Sequence, residues 1–241
     1  MHTRIITAAA LVLLSSCSLE KIATPAQPTA FLTSTGVSTT GKITRLPFDH
    51  SWRDPSVDFS RYRNIVVRPV TTSHLRKEEW IQSYSSFVPG EEAYLKQCRA
   101  LASRFSSYLN LSFESPVCSY YLTQDASKPD TLVLEVALTE VTFGRPAGYI
   151  GAMALPGGSI ANSAASGPVV AFEARVKDAA TGKVLATAAD RRGARFKIID
   201  FNQLTYSKAN DEICNEWASQ LMQAGNKELF PKVRRTWFTP F

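Results

Sequence analysis

The stretch TLVLEVALTEVTF, residues 131–143, alternates apolar and polar side chains, and this alternation limits what the chain can fold into. Its residues separate into an apolar set and a polar set: Leu132, Leu134, Val136 and Leu138 against Glu135 and Thr139. Side chains alternate between the two faces of a β-strand, so the apolar set shares one face. A strand of this kind buries its apolar face in a sheet that other elements cover. The sequence therefore predicts a fold built around a sheet.

Segments on both sides of this strand are predicted to be its partners. The segment VVAFEARVKDAATGKVLATAADRR, which ends at Arg192, is predicted to form a hairpin with its turn at residues 178–182 and its return strand at 183–190. Residues 62–70 and 118–123 are predicted to be short strands, the first because it contains a β-branched run.

Two helices complete the predicted fold. Residues 91–111 place apolar side chains at three- and four-residue spacing, and a second apolar stripe runs through residues 206–226. The order of strands and helices predicts an α+β fold. We expect a mostly antiparallel four- to five-stranded sheet with two helices packed on one face, after a lipidated N-terminal tether.

The N-terminus is typical of an export signal. Arg4 precedes an uncharged apolar run, Ile5–Leu14, which as a helix would be about 15 Å long, half of the roughly 30 Å hydrocarbon core of a membrane. The sequence then continues with Leu14, Ser15, Ser16 and Cys17. This motif resembles the bacterial lipobox, and the resemblance implies cleavage before Cys17 and attachment of acyl chains to it. An ordinary secretory signal is the alternative.

The lipobox sets the expected domain organisation and location. We expect a signal peptide at 1–16, a lipidated cysteine and flexible tether at 17–30, one α+β domain at 31–230, and a basic and aromatic tail at 231–241. Removal of 16 of the 241 residues leaves 225. By resemblance to other lipoproteins, the non-acidic Ser18 predicts the outer membrane, with the domain facing the periplasm. Acyl chains, palmitate among them, would be the membrane partner.

Charge and cysteine content agree with an envelope protein. The net charge of +6 comes partly from basic clusters around residues 191–197 and 232–235, which are expected to form solvated surface or to face anionic headgroups or acidic wall polymers. A nucleic-acid partner is not expected in this compartment. Besides Cys17 there are three cysteines. A disulfide between Cys98 and Cys118 is the most local pairing, and free buried thiols are the alternative.

Motifs for catalysis or cofactor binding are incomplete. GVSTTGKI, residues 36–43, has the glycine and lysine spacing of a phosphate-binding loop, but the strand before it, the helix after it and the hydroxyl residue are missing. Neither His50 nor His74 lies in a context that indicates a catalytic triad or a metal site. We therefore expect no enzyme activity, no nucleotide, no cofactor and no metal.

The segment from Ala147 to Phe172 contains no charged residue. It is either a glycine- and alanine-rich crossover between strands or a surface for a partner, a sister subunit or the bilayer. Its glycines are the candidate interaction residues: Gly148, Gly151, Gly157 and Gly158.

The order of these features resembles one bacterial lipoprotein family. The features are FLTS at 31–34, WRDPSVDFSRYRNIVVRPV at 52–70, DTLVLEVALTEV at 130–141, the uncharged segment, and FEARVKDAATGKVLATAADRR at 172–192. Together they resemble the domain of unknown function 3313. The resemblance implies an exported, lipidated α+β domain without an assigned activity.

Three functions follow as hypotheses. The first is a non-enzymatic accessory or scaffold protein of the envelope, with a protein partner or self-association. The second is a carrier of lipid or another apolar ligand, which requires an enclosed apolar pocket between sheet and helices. The third is an envelope hydrolase with two carboxylates about 5–10 Å apart in one cleft.

Overall fold

Six strands build one mixed sheet in the computed structural model of the protein, which describes residues 25–37, 41–76, 91–142, 169–193 and 204–226. For residues 204–208 it describes the backbone alone. The strands are β1 (His50–Arg53), β2 (Asn64–Val67), β3 (Tyr121–Leu122), β4 (Thr131–Val141), β5 (Val169–Asp178) and β6 (Val184–Gly193). The helices are α1 (Ala30–Thr33), α2 (Glu91–Phe113) and α3 (Leu204–Gly225), and a 3₁₀ turn spans Phe59–Arg61.

The strand order β1-β6-β5-β4-β2-β3 confirms the α+β class and corrects its details. The sheet has six strands, and β2 pairs in parallel with both β4 and β3, while β1, β6, β5 and β4 pair antiparallel. The parallel pairs follow from α2, which lies between β2 and β3 in the chain and returns it in the same direction. β1 was not predicted, because the sequence HSWR has no apolar alternation and its strand state depends on pairing with β6.

The central strand β4 is buried on both faces. Its predicted apolar face is confirmed as part of the main core. The opposite face is buried too, since Val133 and Ala137 are 7% and 0% exposed. A β-bulge at Thr139 shifts the register between Leu138 and Glu140, so that Val141 returns to the core face. Other parts of the chain must therefore cover both faces of the sheet at β4.

The long helices α2 and α3 pack together on one face, as predicted. Phe105 of α2 and Trp217 of α3 meet above Phe172 of β5, with ring-centroid distances of 6.2 Å between the helices and 4.7 Å from Trp217 to Phe172. All three side chains are essentially inaccessible to solvent. Aromatic contacts of this kind fill the space between the helices and the sheet.

Candidate functional site

The sheet face opposite α2 and α3 carries an unusual number of charged side chains for a covered surface. They alternate with core positions along β4, β5 and β6: Glu135, Glu140, Glu173, Arg175, Lys177 and Arg191. In the described part of the chain, the N-terminal segment Thr29–Ser34, which includes α1 and which we call the strap, packs on this face. We call the face beneath it the strap face.

A buried carboxylate fastens the strap to β5. The backbone N–H of Thr29 donates to Glu173 Oε1 at 2.6 Å, and the Thr29 hydroxyl donates to Glu173 Oε2 at 2.7 Å. Glu173 is only 2% exposed. Thr29 Oγ1 also accepts from the N–H of Phe31 and so caps α1. A helix of four residues is too short to be stable alone, so its position depends on these bonds.

Small residues beside Glu173 make room for the strap. Ala137 and Ala189 flank Glu173 on the neighbouring strands, and Phe31 and Leu32 pack against them in a separate buried cluster. Larger side chains at these two positions would displace α1 from the sheet.

Arg175 connects the strap to the charges below it. Its guanidinium lies 4.2 Å from the centroid of the Phe31 ring and donates to the Phe31 carbonyl at 2.8 Å. It also pairs with Glu135, which accepts from Lys177 at 2.8 Å. Burial raises the pKa of Glu135, but the bonds from Lys177 and Arg175 outweigh it, and the pKa is lowered overall. Glu135 therefore stays ionised at neutral pH.

A polar groove of about 540 Å³ lies where the strap ends beside the β5–β6 turn. Its side chains are mostly polar and include Thr35, Trp52, Asp54, Arg175, Lys177 and Lys183. Lys183 donates to Asp54 at 2.8 Å, and this bond, with those from Ser56, lowers the pKa of Asp54 to about 2. The groove therefore combines charged side chains with apolar surface from Trp52, Val37 and Val184.

A second group of charges is buried on the helix face, between β6 and α3. Asp190 Oδ2 accepts from Arg192 Nε at 2.7 Å and from Trp217 Nε1 at 2.8 Å. Arg192 also donates to Gln220 at 2.7 Å and lies 3.2 Å from Glu216. The Asp190 side chain is 0% exposed and that of Arg192 6%. We call these five residues the β6–α3 network.

Most of the residues predicted to be functional lie outside the described residues. These are Cys17 with Leu14, Ser15 and Ser16 of the lipobox, and Gly148, Gly151, Gly157 and Gly158 of the uncharged segment. The C-terminal residues 231–241 lie outside them as well. Cys17 and the glycines stay predictions.

Of the two alternatives for Cys98 and Cys118, a disulfide or free thiols, the structure has free thiols at both positions and at Cys214. Cys98 faces the core from α2, and the rest of that helix, to Phe113, spans about 22 Å. Cys118 stays near the helix end, because its N–H donates to the carbonyl of Ser115. A disulfide requires Cα atoms about 4.4–6.8 Å apart. Burial raises the pKa of the Cys98 thiol to about 11.

The other candidate motifs are not assembled into sites. His74 packs edge-on against the Phe31 ring at 5.3 Å, and His50 begins β1. Within the described ranges, no group of three or more His, Cys, Asp or Glu is arranged to hold a metal. None of the described helices combines the length and hydrophobicity of a membrane span.

We expect Glu173→Gln to loosen the strap. The substitution keeps the shape of the side chain but replaces one acceptor oxygen by an NH₂ group that faces a donor of Thr29. Loss of a charge-assisted bond with an unmatched donor costs about 1–3 kcal/mol. Hydrogen exchange of the Phe31 and Leu32 amides measures the effect and should become faster. Glu114→Gln, at an exposed position, is the matched control, and unchanged exchange in Glu173→Gln would show that Glu173 does not hold the strap.

Comparison with known proteins gives a family and distant structural similarities. A PelC dodecamer from Paraburkholderia phytofirmans is 13% identical, covers 70% of this chain and 95% of that chain, and has a TM-score of 0.35. Protein XCC0632 from Xanthomonas campestris is 9% identical over 70% of this chain and 86% of that chain, with a TM-score of 0.38. Lipoprotein GNA1162 from Neisseria meningitidis is 15% identical over 65% and 98%, with a TM-score of 0.24.

No curated protein matches the chain. The family model described as protein of unknown function (DUF3313) matches residues 44–221, which is most of the chain and includes every strand of the sheet. The resemblance predicted from the sequence is thereby confirmed, and the protein belongs to the DUF3313 family.

Proposed function

We propose that this protein is a non-enzymatic lipoprotein of the cell envelope, held at a membrane by acyl chains on Cys17 and acting as an accessory or scaffold protein. The observation that carries the proposal is the attachment of the strap. Thr29 lies near the end of the predicted tether, residues 17–30, and is fixed to the central part of the sheet by Glu173. An anchor at Cys17 would thus be connected to the core of the domain.

The tether would keep the domain close to the bilayer. Thr29 lies twelve positions after Cys17, and a flexible chain of that length has an end-to-end distance of about 19 Å. Fully extended it would reach about 43 Å. The bonds between Thr29 and Glu173 keep the residues after Thr29 on the sheet. The distance between the anchor and the domain would therefore stay within this limit when the chain is under tension.

The described carboxylates favour a structural role over an acid–base couple. Glu135, Glu140 and Glu173 are bonded to Arg175, Arg191 and Thr29, respectively. Asp54 is the one carboxylate that lines the groove among the described residues, and Lys183 pairs with it. A hydrolase of the kind considered above needs two carboxylates free to exchange protons in one cleft.

The contact of sheet and helices also favours a scaffold over an apolar carrier. A carrier needs a cavity between these layers, yet Phe105, Phe172 and Trp217 are in ring contact there. The groove at the end of the strap is open and offers charged and hydroxyl groups beside apolar side chains. A protein partner or a second copy of the chain suits such a surface better than a hydrocarbon ligand does.

The proposed location is the outer membrane, facing the periplasm, from Ser18 after the anchor cysteine. We expect the protein purified from envelopes to begin at Cys17 and to carry the mass of its acyl chains, which intact-mass spectrometry measures. We also expect crosslinking in intact envelopes to capture a reproducible protein partner or a homo-oligomer. An unmodified Cys17 would refute the anchor, and crosslinking without any reproducible product would refute the scaffold role.

A further inference from the structure

Three large apolar side chains are exposed in the described part of the chain, and they lie close together in sequence. Leu111, Val117 and Tyr121 expose 65%, 61% and 77% of their surface. Leu111 belongs to the last turns of α2, and Tyr121 belongs to β3, which α2 contacts. We call these three residues the apolar corner.

The apolar corner adjoins an open edge of the sheet. Among the described strands, β3 is the last on its side of the sheet, and its pairing partner is β2. An edge strand presents backbone donors and acceptors to other chains, and exposed apolar side chains beside it increase the tendency to associate. A segment that packs on this corner would therefore remove apolar surface from water and protect the edge strand from association with other chains.

The end of α3 is fixed directly beside the corner. The Asn226 side chain accepts from the N–H of Ser119 at 2.9 Å and donates to the carbonyl of Val117 at 3.0 Å. Asn226 is 3% exposed. The fifteen residues that follow, KELFPKVRRTWFTPF, which we call the tail, therefore start next to Val117.

The sequence of the tail complements the corner in both polarity and charge. It contains six large apolar residues: Leu229, Phe230, Val233, Trp237, Phe238 and Phe241. Leu229 is three residues beyond Asn226 and can reach about 11 Å from it. The tail has four basic residues against one acidic residue, and Glu114 and Asp125, both exposed, lie on either side of Val117 and Tyr121 in the chain.

We propose that the tail docks on the apolar corner through its aromatic side chains and covers the β3 edge of the sheet. The occupant is thus a segment of the same chain, held in place by apolar contact and by attraction between its basic residues and Glu114, which lies between Leu111 and Val117 in the chain. The docked tail would keep the edge from pairing with other chains. This inference does not depend on lipidation or on the proposed function.

Hydrogen exchange of the full-length chain tests the proposal. In the unaltered protein we expect slow exchange for residues 111–122. The double substitutions Leu229→Ser/Phe230→Ser and Trp237→Ser/Phe238→Ser should each raise it by about tenfold, because they remove the apolar contacts of the tail. The control Thr236→Ala/Thr239→Ala changes the tail without touching its apolar residues and should leave exchange unaltered.

A substitution in the apolar corner is an independent test of the proposal. Tyr121→Ser should speed up exchange within residues 227–241 while circular dichroism shows an intact fold. Equal exchange of residues 111–122 in the unaltered chain and both tail variants would overturn the proposal. Protection that rises with protein concentration, together with a dimer mass in solution, would also overturn it, since a second copy would then be the occupant.

Discussion

Replacement of Asp190 by alanine is expected to lower the free energy of unfolding by about 3–5 kcal/mol, the loss typical of breaking a buried ion pair. Asp190 is the acceptor for both Arg192 and Trp217 and has no solvent exposure. Without it, the Arg192 guanidinium loses a partner at a site where water cannot replace it, and the Trp217 indole N–H is left without its acceptor. Urea denaturation followed by circular dichroism measures the change.

Three further variants separate the causes of this loss. Asp190→Asn removes the charge and keeps the shape, so it should cost less than Asp190→Ala. The double variant Asp190→Ala/Arg192→Met should recover part of the stability, because the buried guanidinium that lost Asp190 is gone while Glu216 keeps its bond from Gln220. Lys183→Ala is the control. It breaks the ion pair of the exposed Lys183 with Asp54 and should change the free energy of unfolding little. A loss of less than about 1 kcal/mol for Asp190→Ala would mean that Arg192 does not depend on Asp190.

The β6–α3 network shows why the charge pattern of the sequence was misinterpreted. Arg191 and Arg192 are adjacent, and the sequence predicts that both belong to one surface cluster, either solvated or facing anionic headgroups or acidic wall polymers. Successive residues of a strand point to opposite faces, so Arg191 pairs with Glu140 on the strap face and Arg192 with Asp190 and Glu216 on the helix face. Glu140 is distant in the sequence, and no local pattern identifies it as the partner.

Elements with a strong local pattern were predicted well. α2 was expected at residues 91–111 and spans Glu91–Phe113, and α3 was expected at 206–226 and spans Leu204–Gly225. β4 ends at Val141, two residues before its predicted end. The apolar periodicity of each of these elements continues over ten or more residues, so a few residues that do not fit it leave the prediction unchanged.

Elements that depend on tertiary pairing were not predicted, and neither was the strap. β1 has four residues and takes its conformation from β6. The predicted boundary at residue 30 divides the strap between the tether and the α+β domain, although Thr29 before Phe31 and Leu32 is a reasonable helix start. The clearest unused signal was Glu173, an acidic residue in the middle of the apolar strand VVAFEARV, because a buried carboxylate needs a donor from elsewhere in the fold.

The strap and the β6–α3 network hold the two covers of the sheet by the same physical means. Glu173 binds the N-terminal segment to one face, and Asp190 connects the helix α3 to the other. Each carboxylate is almost completely buried and accepts bonds from groups that are distant in sequence. Apolar contact alone allows a segment to slide, whereas a directed bond to a buried charge fixes its register. The position of the N-terminal segment on the sheet is thus specified as closely as the position of the helix.

Cys17→Ser is expected to abolish acylation and to release the protein from the membrane. A hydroxyl group does not take the place of the thiol in a lipobox, so the signal peptide should stay uncleaved and the chain should be heavier by residues 1–16 and lighter by the acyl chains. Each buried methylene contributes about 0.8 kcal/mol, and several chains together hold a protein firmly. The ten-residue apolar run Ile5–Leu14 is too short to span a membrane in their place.

Detergent phase partitioning and intact-mass spectrometry of the same samples measure both effects, and we expect the membrane-bound fraction to fall by about tenfold or more. Cys118→Ser is the matched control, since it removes a free, half-buried thiol of the folded domain. Signal-peptide cleavage, acylation and partitioning into the detergent phase should be unchanged in this variant. If the Cys17→Ser chain were cleaved as usual and stayed in the membrane fraction, Cys17 would not be the anchor. The strap would then not be connected to the membrane anchor through Cys17, and the proposed attachment by acyl chains would have to be given up.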